Sequence, residues 1–265
     1  MASFGYISDT ALWAVTCRAH ETRRADRVLN DPFASHLVTT RGEELFGAEV
    51  DNVASFILAV TVATIDEVLR HAIHEHHIHT VANLGAGLDT RPYRLDLPSD
   101  LRWIEADLEQ LLGYKGLRLA HAAPCCQLHR LDVDLSQAGG RRGVLRAIAR
   151  DVMRGLVLTE GLAARFGREA LDDLIERMPA AFKYWIVDAI EPPSAPSTNA
   201  GDHRSDRAVP ARDILDAFVR HGWRPTEFRP LKAQALRLGE ARTTRLAAAH
   251  PLEEQDGVWL FHHSI

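Results

Sequence analysis

Short runs of apolar, β-prone residues alternate along this chain with stretches of helical periodicity, and that alternation restricts the fold more than any other feature. VANLG (residues 81–85), RWIEAD (102–107), QLHRLDVD (127–134), RGLVLTEG (154–161) and KYWIVDAI (183–190) read as strands. Residues 10–29 and 52–75 read as helices, the first capped by Asp9 or Thr10 and ended by Asp31-Pro32. GREALDDLIERM puts Leu171, Leu174, Ile175 and Met178 on one helical face. ARDILDAFVRHG is a helix bounded by Pro210 and Gly222, and WRPTEF and GVWLFHHS are closing strands. Strands separated by helices predict an α/β fold, a mostly parallel sheet with helices on both faces. Such sheets bind ligands beyond the carboxyl ends of their strands, where strand order reverses.

Composition excludes several partners. The net charge is −5, and of 31 basic residues only Lys115, Lys183 and Lys232 are lysines, with the arginines scattered. No field or patch favours nucleic acid or an anionic membrane. The apolar stretch VASFILAVTVATI is too short to span a bilayer and is read as a buried helix. MASFGYISDTALWAV lacks the pattern of a signal peptide. Cys17, Cys125 and Cys126 form neither a CxxC motif nor a disulfide framework, so a cytoplasmic setting is expected. Oligomeric state is not legible in these features.

The chemistry is expected on the strand ends. In HTVANLGAGLDTRPYRL, residues 79–95, Gly85 and Gly87 follow a buried strand. Glycines there permit positive φ and let a ligand approach the backbone closely, and free N–H groups on such a turn would suit polar or anionic groups. Asp107 ends the next strand, 22 positions after Gly85, the spacing of an acid that takes a nucleoside ribose. Glu105 is its rival, on the same face but deeper in the strand. Asp134, with Asp132 as competitor, could accept from an exocyclic amine such as that of adenine. Glu160 is a further acid at this rim. Acids so placed would repel a dinucleotide's phosphates and suit a cation bearing ribose and adenine, which S-adenosylmethionine is. GAGLDT also has Thr90 where the third glycine of a dinucleotide fingerprint would stand.

These segments are similar to the leucine carboxyl methyltransferase family, in its bacterial branch of polyketide-type O-methyltransferases. The likeness runs through TALWAVTCRAHETRRADRVLNDPFA, VANLGAGLDTRPYRLD, WIEAD, LDVDLS and VLTEGLAARFGREALDDLIERM, about the first 180 residues. It implies a Rossmann-like class I methyltransferase fold with a seven-stranded sheet, a final antiparallel strand and N-terminal helical additions. It implies S-adenosyl-L-methionine as cofactor, with Asp107 and Leu108 at the ribose and Asp134 with Leu135 at the adenine. Glu160 would lie beside the methionine part, Gly85, Ala86 and Gly87 would form the cofactor turn, and Arg18 would meet the cofactor carboxylate. The whole of 1–265 is then one methyltransferase domain. Residues 1–75 would be a helical cap and substrate region, 76–190 the cofactor-binding core, 191–209 a lid loop and 210–265 the closing helices and strands.

Two segments depart from the family pattern. AVTVATIDEV has Thr61 and Ala63 where relatives carry arginines, so the carboxylate clamp would pass to Arg18 or Arg91. EGLAARFG has Arg165 in place of a tyrosine, which would widen the substrate pocket and give it a cation. The acceptor is expected to be a small-molecule carboxylate or hydroxyl of secondary metabolism, the alternatives being a protein's C-terminal carboxylate or binding without turnover. A carboxylate needs no general base, whereas a phenol benefits from one. With no histidine in a recognisable catalytic motif, the balance leans to a carboxylate oriented by Arg165 or Arg91, and His203 is the candidate base. No metal site is expected, His71, His74 and His77 lacking a completing ligand. Trp13, Trp103, Trp185 and Trp223 are expected in the core.

Overall fold

The computed structural model describes residues 8–47, 53–190, 209–246, 252 and 254–263. Its seven strands are β1 (Thr80–Leu84), β2 (Arg102–Asp107), β3 (Gln127–Asp132), β4 (Gly155–Thr159), β5 (Phe182–Ala189), β6 (Trp223–Pro230) and β7 (Gly257–His263). They form one sheet in the order β3-β2-β1-β4-β5-β7-β6. β7 runs antiparallel to both its neighbours, and the other pairings are parallel. Every residue of β1 and β4 is buried, so an unbroken apolar run suits them. β3, at one edge, alternates exposed with half-buried residues over most of its length. The chain order reverses between β1 and β4, and the cleft at their carboxyl ends is where a ligand of this architecture binds.

Helices cover both faces. On one side α4 (Val53–Glu75) lies against the sheet, and Ile65, Leu69 and Ile73 pack with Trp103, Leu156 and Ile186. On the other, α7 (Ala138–Ile148), α8 (Leu162–Glu176) and α9 (Ala211–Arg220) cover an aromatic cluster. There Trp185 meets Phe218 edge-on at 5.0 Å, and its Nε1 donates to Thr159 Oγ1 at 2.9 Å.

Three sequence expectations need amending. The first helix, α1, spans only Asp9–Arg23, because Arg24 is already extended, and its cap is Ser8, whose hydroxyl accepts the Ala11 N–H. Residues 231–246 carry a helix, α10 (Leu231–Leu246), that weak amphipathicity conceals and a non-helical Gly239 interrupts. Arg242 of α10 donates to both oxygens of the buried Glu21 on α1 and lies 4.3 Å over the Phe56 ring of α4. Trp103, Trp185 and Trp223 are core, but Trp13 is half-buried and lines a cavity. Among the described residues no helix is long and apolar enough to cross a membrane, and no three His, Cys, Asp or Glu side chains could hold a metal ion.

Candidate active site

The turn after β1 takes the geometry its glycines permit. Gly85 has φ 75° and Gly87 φ 49°, both in the left-handed region. The Gly85 and Ala86 N–H groups donate to Ala106 O at 2.8 and 3.3 Å, and the Gly87 N–H donates to Asp107 Oδ2 at 2.7 Å. The expectation of free donors on these residues is therefore corrected, because the chain uses all of them itself. The following helix, α5 (Arg91–Arg94), is a single turn with little dipole to offer an anion.

The strand-end acids fall into two groups. Asp107 is buried at the end of β2, its two oxygens pinned by the Gly87 N–H and, at 2.8 Å, the Leu108 N–H. Leu108 caps α6 (Glu109–Arg118). Asp134 is exposed, and its Oδ1 takes the N–H and hydroxyl of Ser136 at 2.9 and 2.6 Å, fixing the bend before α7. Leu135 beside it is buried. Asp132 accepts the Glu109 N–H. Glu105 is fully buried and matched to Lys115 Nζ at 2.9 Å and Arg130 Nε at 3.1 Å, which occupies it away from any ligand.

The second group faces inward, beside the turn. Glu160, just past β4, stands next to Asp188 near the end of β5, because Thr159 and Val187 are in register. Gly161, at φ 64°, donates its N–H to Asp188 Oδ1 at 2.8 Å. Burial pushes the Asp188 carboxyl up to about 7, Glu160 adds to that rise, and the Gly161 N–H offsets part of it.

Arginines surround the base of this group. Arg91, 1% exposed, reaches Asp66 Oδ1 at 2.7 Å, Asp89 Oδ2 at 3.0 Å and Glu160 Oε2 at 2.8 Å. Burial opposes its charge, but the carboxylates of Asp89, Glu160 and Asp66 outweigh burial and raise its pKa. Asp89 is held below the ordinary carboxylate range, since Arg91, Arg94, Lys115 and Arg18 together outweigh the opposite effect of its burial. Asp66, on α4, also takes Arg94 through both oxygens. Arg18, on α1, donates to Leu88 O at 2.8 Å and pairs with Asp31 at 3.1 Å. Arg91 thus braces the cleft from below, whereas Arg18 borders it.

A cavity of about 270 Å³ joins these parts. Gly85, Ala86, Gly87, Glu160 and Asp188 form one end. Trp13 and Ala14 of α1, with Ile57, Leu58, Thr61 and Val62 of α4, form an apolar opposite wall. Thr61, standing where an arginine was expected, donates its hydroxyl to Ile57 O and leaves α4 uncharged at the cavity. Asp107, Asp134 and Leu135 lie outside that lining. The side chain of Arg165, on α8, and all of His203 lie outside the described residues. Sequence reading passed over Asp188 and Asp66. The first stands at a strand end like its fellows but has no distinguishing spacing, and the second belongs to a helix whose partners are visible only in three dimensions.

The strand order, the final antiparallel strand and the acid-lined turn define a Rossmann-like class I methyltransferase. The family model described as leucine carboxyl methyltransferase matches residues 11–179, and the chain belongs to that family. Among its relatives are two proteins named "Putative S-adenosyl-L-methionine-dependent methyltransferase". One, from Frankia alni, is 29% identical over 66% of this chain and 67% of its own length. The other, from Mycobacteroides abscessus, is 31% identical over 63% of this chain and 59% of its own length. Among solved structures, a DUF574 family protein from Streptomyces avermitilis shares the fold with TM-score 0.54 and 12% identity, covering 95% of this chain and 97% of that one. A methyltransferase-titled structure from Thermobifida fusca also has TM-score 0.54, at 13% identity, covering 91% of this chain and 94% of that one. The cofactor is S-adenosyl-L-methionine. The residues present fit such a group, since a turn with the Gly85, Ala86 and Gly87 donors satisfied and two inward carboxylates suit a cation without phosphates.

Proposed function

We propose that this methyltransferase acts on an oxygen atom of a small molecule held between α1 and α4. The observation that carries the reading is the pairing of a turn whose Gly85, Ala86 and Gly87 N–H groups are all bonded within the chain with carboxylates that face a largely apolar cavity. A phosphate-rich dinucleotide would find no free N–H on Gly85, Ala86 or Gly87 and would meet Glu160 and Asp188.

In this reading Asp107 holds the ribose. Its two backbone hydrogen bonds fix the carboxylate in place and leave lone pairs for hydroxyl groups. Leu108 borders the ribose, Asp134 and Leu135 border the adenine, and Gly85, Ala86 and Gly87 pass beneath the cofactor. Glu160, steadied by Arg91, faces the ammonium, and Arg18 faces the carboxylate. When bound, S-adenosyl-L-methionine supplies an electrophilic methyl group on a sulfonium. The protein's part is to exclude water and to hold the acceptor oxygen in line, an effective-molarity contribution. α1 and α4 do this with Trp13, Ile57 and Leu58, which supports a role for residues 1–75 as a substrate cap over the core.

A protein's C-terminal carboxylate is the weaker alternative, since the inner end of the cavity presents acids. Calorimetric titration with S-adenosylmethionine and with NAD tests the class, binding of the first alone being expected. Binding of NAD alone would overturn the reading. Turnover against panels of small acids and phenols, with products located by mass spectrometry, tests oxygen as the target, and methylation confined to nitrogen or carbon would refute it.

A further inference from the structure

One carboxylate in the cavity is not braced by an arginine as Glu160 is. Asp188 lies near the end of β5, with Oδ1 fixed by the Gly161 N–H at 2.8 Å. Besides Gly161 only its own backbone N–H donates to the carboxylate among the described residues, and the side chain lines the cavity. The groups that face it come from five elements. Glu160 stands beside it at the end of β4, and Arg91 reaches up from α5 but is bound to Asp66, Asp89 and Glu160. β7 places the apolar Val258 in register with it. α4 offers Ile57, Leu58 and Thr61 to the same cavity. α1 offers Arg18, already committed to Leu88 O and Asp31. No described cation is paired with Asp188.

We propose that Asp188 is the proton acceptor of the reaction, and that the methyl acceptor is an uncharged, weakly acidic hydroxyl, a phenol or enol, on a largely apolar molecule. The proposal rests on the methyltransferase reading above and names the substrate class of that same site. The walls are largely apolar, the charged side chains at the inner end are the acids Asp89, Glu160 and Asp188, the Asn83 amide there is bound to Asp89, and Arg18 at the border is bound to Leu88 O and Asp31. An anionic acceptor would lose its hydration there and meet Glu160 and Asp188. A neutral hydroxyl loses little and gains a hydrogen bond to Oδ2.

The step balances without a further reagent. The hydroxyl proton passes to Asp188 Oδ2, and the acceptor oxygen bonds to the methyl carbon as the carbon–sulfur bond breaks, its electron pair going to sulfur. The proton then leaves Asp188 for water. An ordinary carboxylate is a poor base for a phenol, whose pKa is near 10. Burial and Glu160 bring Asp188 to about 7, which narrows that gap. A positive charge entering the cavity favours the ionised form, so a sulfonium ligand drives a proton off Asp188 and readies it as a base.

The test compares the parent with Asp188→Asn in two experiments. In the first, S-adenosylmethionine is titrated near neutral pH in buffers of different ionisation enthalpy, and S-adenosylhomocysteine, with its uncharged sulfur, serves as control. The parent is expected to release protons on binding the sulfonium, and the Asn variant to release fewer and to bind the sulfonium more weakly, with its affinity for S-adenosylhomocysteine less affected. Equal proton release by the two proteins overturns the proposal. The second measures kcat over a series of substituted phenols. Loss of a general base lowers kcat by about 10²–10⁴-fold for weakly acidic phenols and far less for those already ionised at the assay pH. A merely structural role would lower all of them alike, and that uniform loss, parental kcat throughout, or turnover of carboxylic acids in place of phenols refutes the assignment. If the parent does not bind S-adenosylmethionine at all, the methyltransferase reading fails first, and the two failures are distinguished.

Discussion

Replacing Asp107 by Ala should injure the free protein as well as the bound one. The side chain is 4% exposed and accepts two backbone N–H groups, from Gly87 at 2.7 Å and Leu108 at 2.8 Å. Hydrogen bonds to a charged acceptor contribute about 1.5–3 kcal/mol each, and water entering the vacated space recovers part, so a net loss of about 3 kcal/mol is expected. For a chain of this size that lowers Tm by about 6–12 °C. Asp107→Asn keeps one carbonyl oxygen and turns an NH₂ group toward the other donor, so it should fall between parent and Ala. Scanning calorimetry without ligand reads these shifts, and titration with S-adenosylhomocysteine reads affinity, expected to drop at least about tenfold in the Ala variant. The reasoning is wrong if the Ala variant unfolds within about 1 °C of the parent, because the carboxylate would then not be what pins the turn. Unchanged affinity would remove Asp107 from the ribose.

Further outcomes follow from individual contacts. Gly87→Ala meets nothing nearer than Gly85 O at 3.9 Å, so it should cost only the left-handed strain, about 1–2 kcal/mol, yet weaken cofactor binding by crowding the cavity; parental affinity would show that the turn does not touch the ligand. Lys115→Met leaves the fully buried Glu105 with Arg130 alone and should cost about 3–5 kcal/mol in guanidinium unfolding, a change under about 1 kcal/mol arguing against the pair. Asp188 in the folded protein keeps its proton from the ordinary value of 3.8 up to about 7, whereas the unfolded chain releases it, so the associated stability is full below 3.8 and lost as pH rises through 7. Asp188→Asn should therefore lose less stability than the parent between about pH 4 and 7, and parallel urea-unfolding curves would contradict the raised pKa.

The fold was legible because its central strands leave little choice. β1 and β4 are buried on both faces, so their apolar runs mark them, and RWIEAD coincides with β2 to the residue. Long-range closure was harder to see. α10 packs Leu231, Ala235 and Leu238 on Phe56, Ile57 and Val60 of α4, but the polar Gln234 and Arg242 share that buried face and blur the stripe, and the Arg242–Glu21 pair spans nearly the whole chain. α1 was extended too far because its continuation keeps a helical composition, while in three dimensions Glu21 turns back to accept the Val28 N–H and draws residues 24–28 out of the helix.

The site divides along the same line between pattern and partner. Spacing marked Asp107, Asp134 and Glu160 as acids at strand ends but could not show what each one faces. Asp134 holds the Ser136 bend, Asp107 holds the turn, and Glu160 alone of the three opens on the cavity. Arg91 looked like a substrate ligand because it follows the turn directly, yet Asp66 on a distant helix draws it into the interior. That exchange bears on the chemistry. Arginines absent from α4 leave its cavity face to Ile57, Leu58 and Thr61, so among the described residues the cleft has acids and Asn83 on one side and hydrocarbon on the other, with Arg18, already bound to Leu88 O and Asp31, at its border. A carboxylate acceptor would need a cation on one of those surfaces; of the two arginines expected to orient it, Arg91 is held by Asp66, Asp89 and Glu160, and the side chain of Arg165 lies outside the described residues. The polarity of the cleft therefore favours a substrate that arrives neutral and becomes anionic only as its proton leaves.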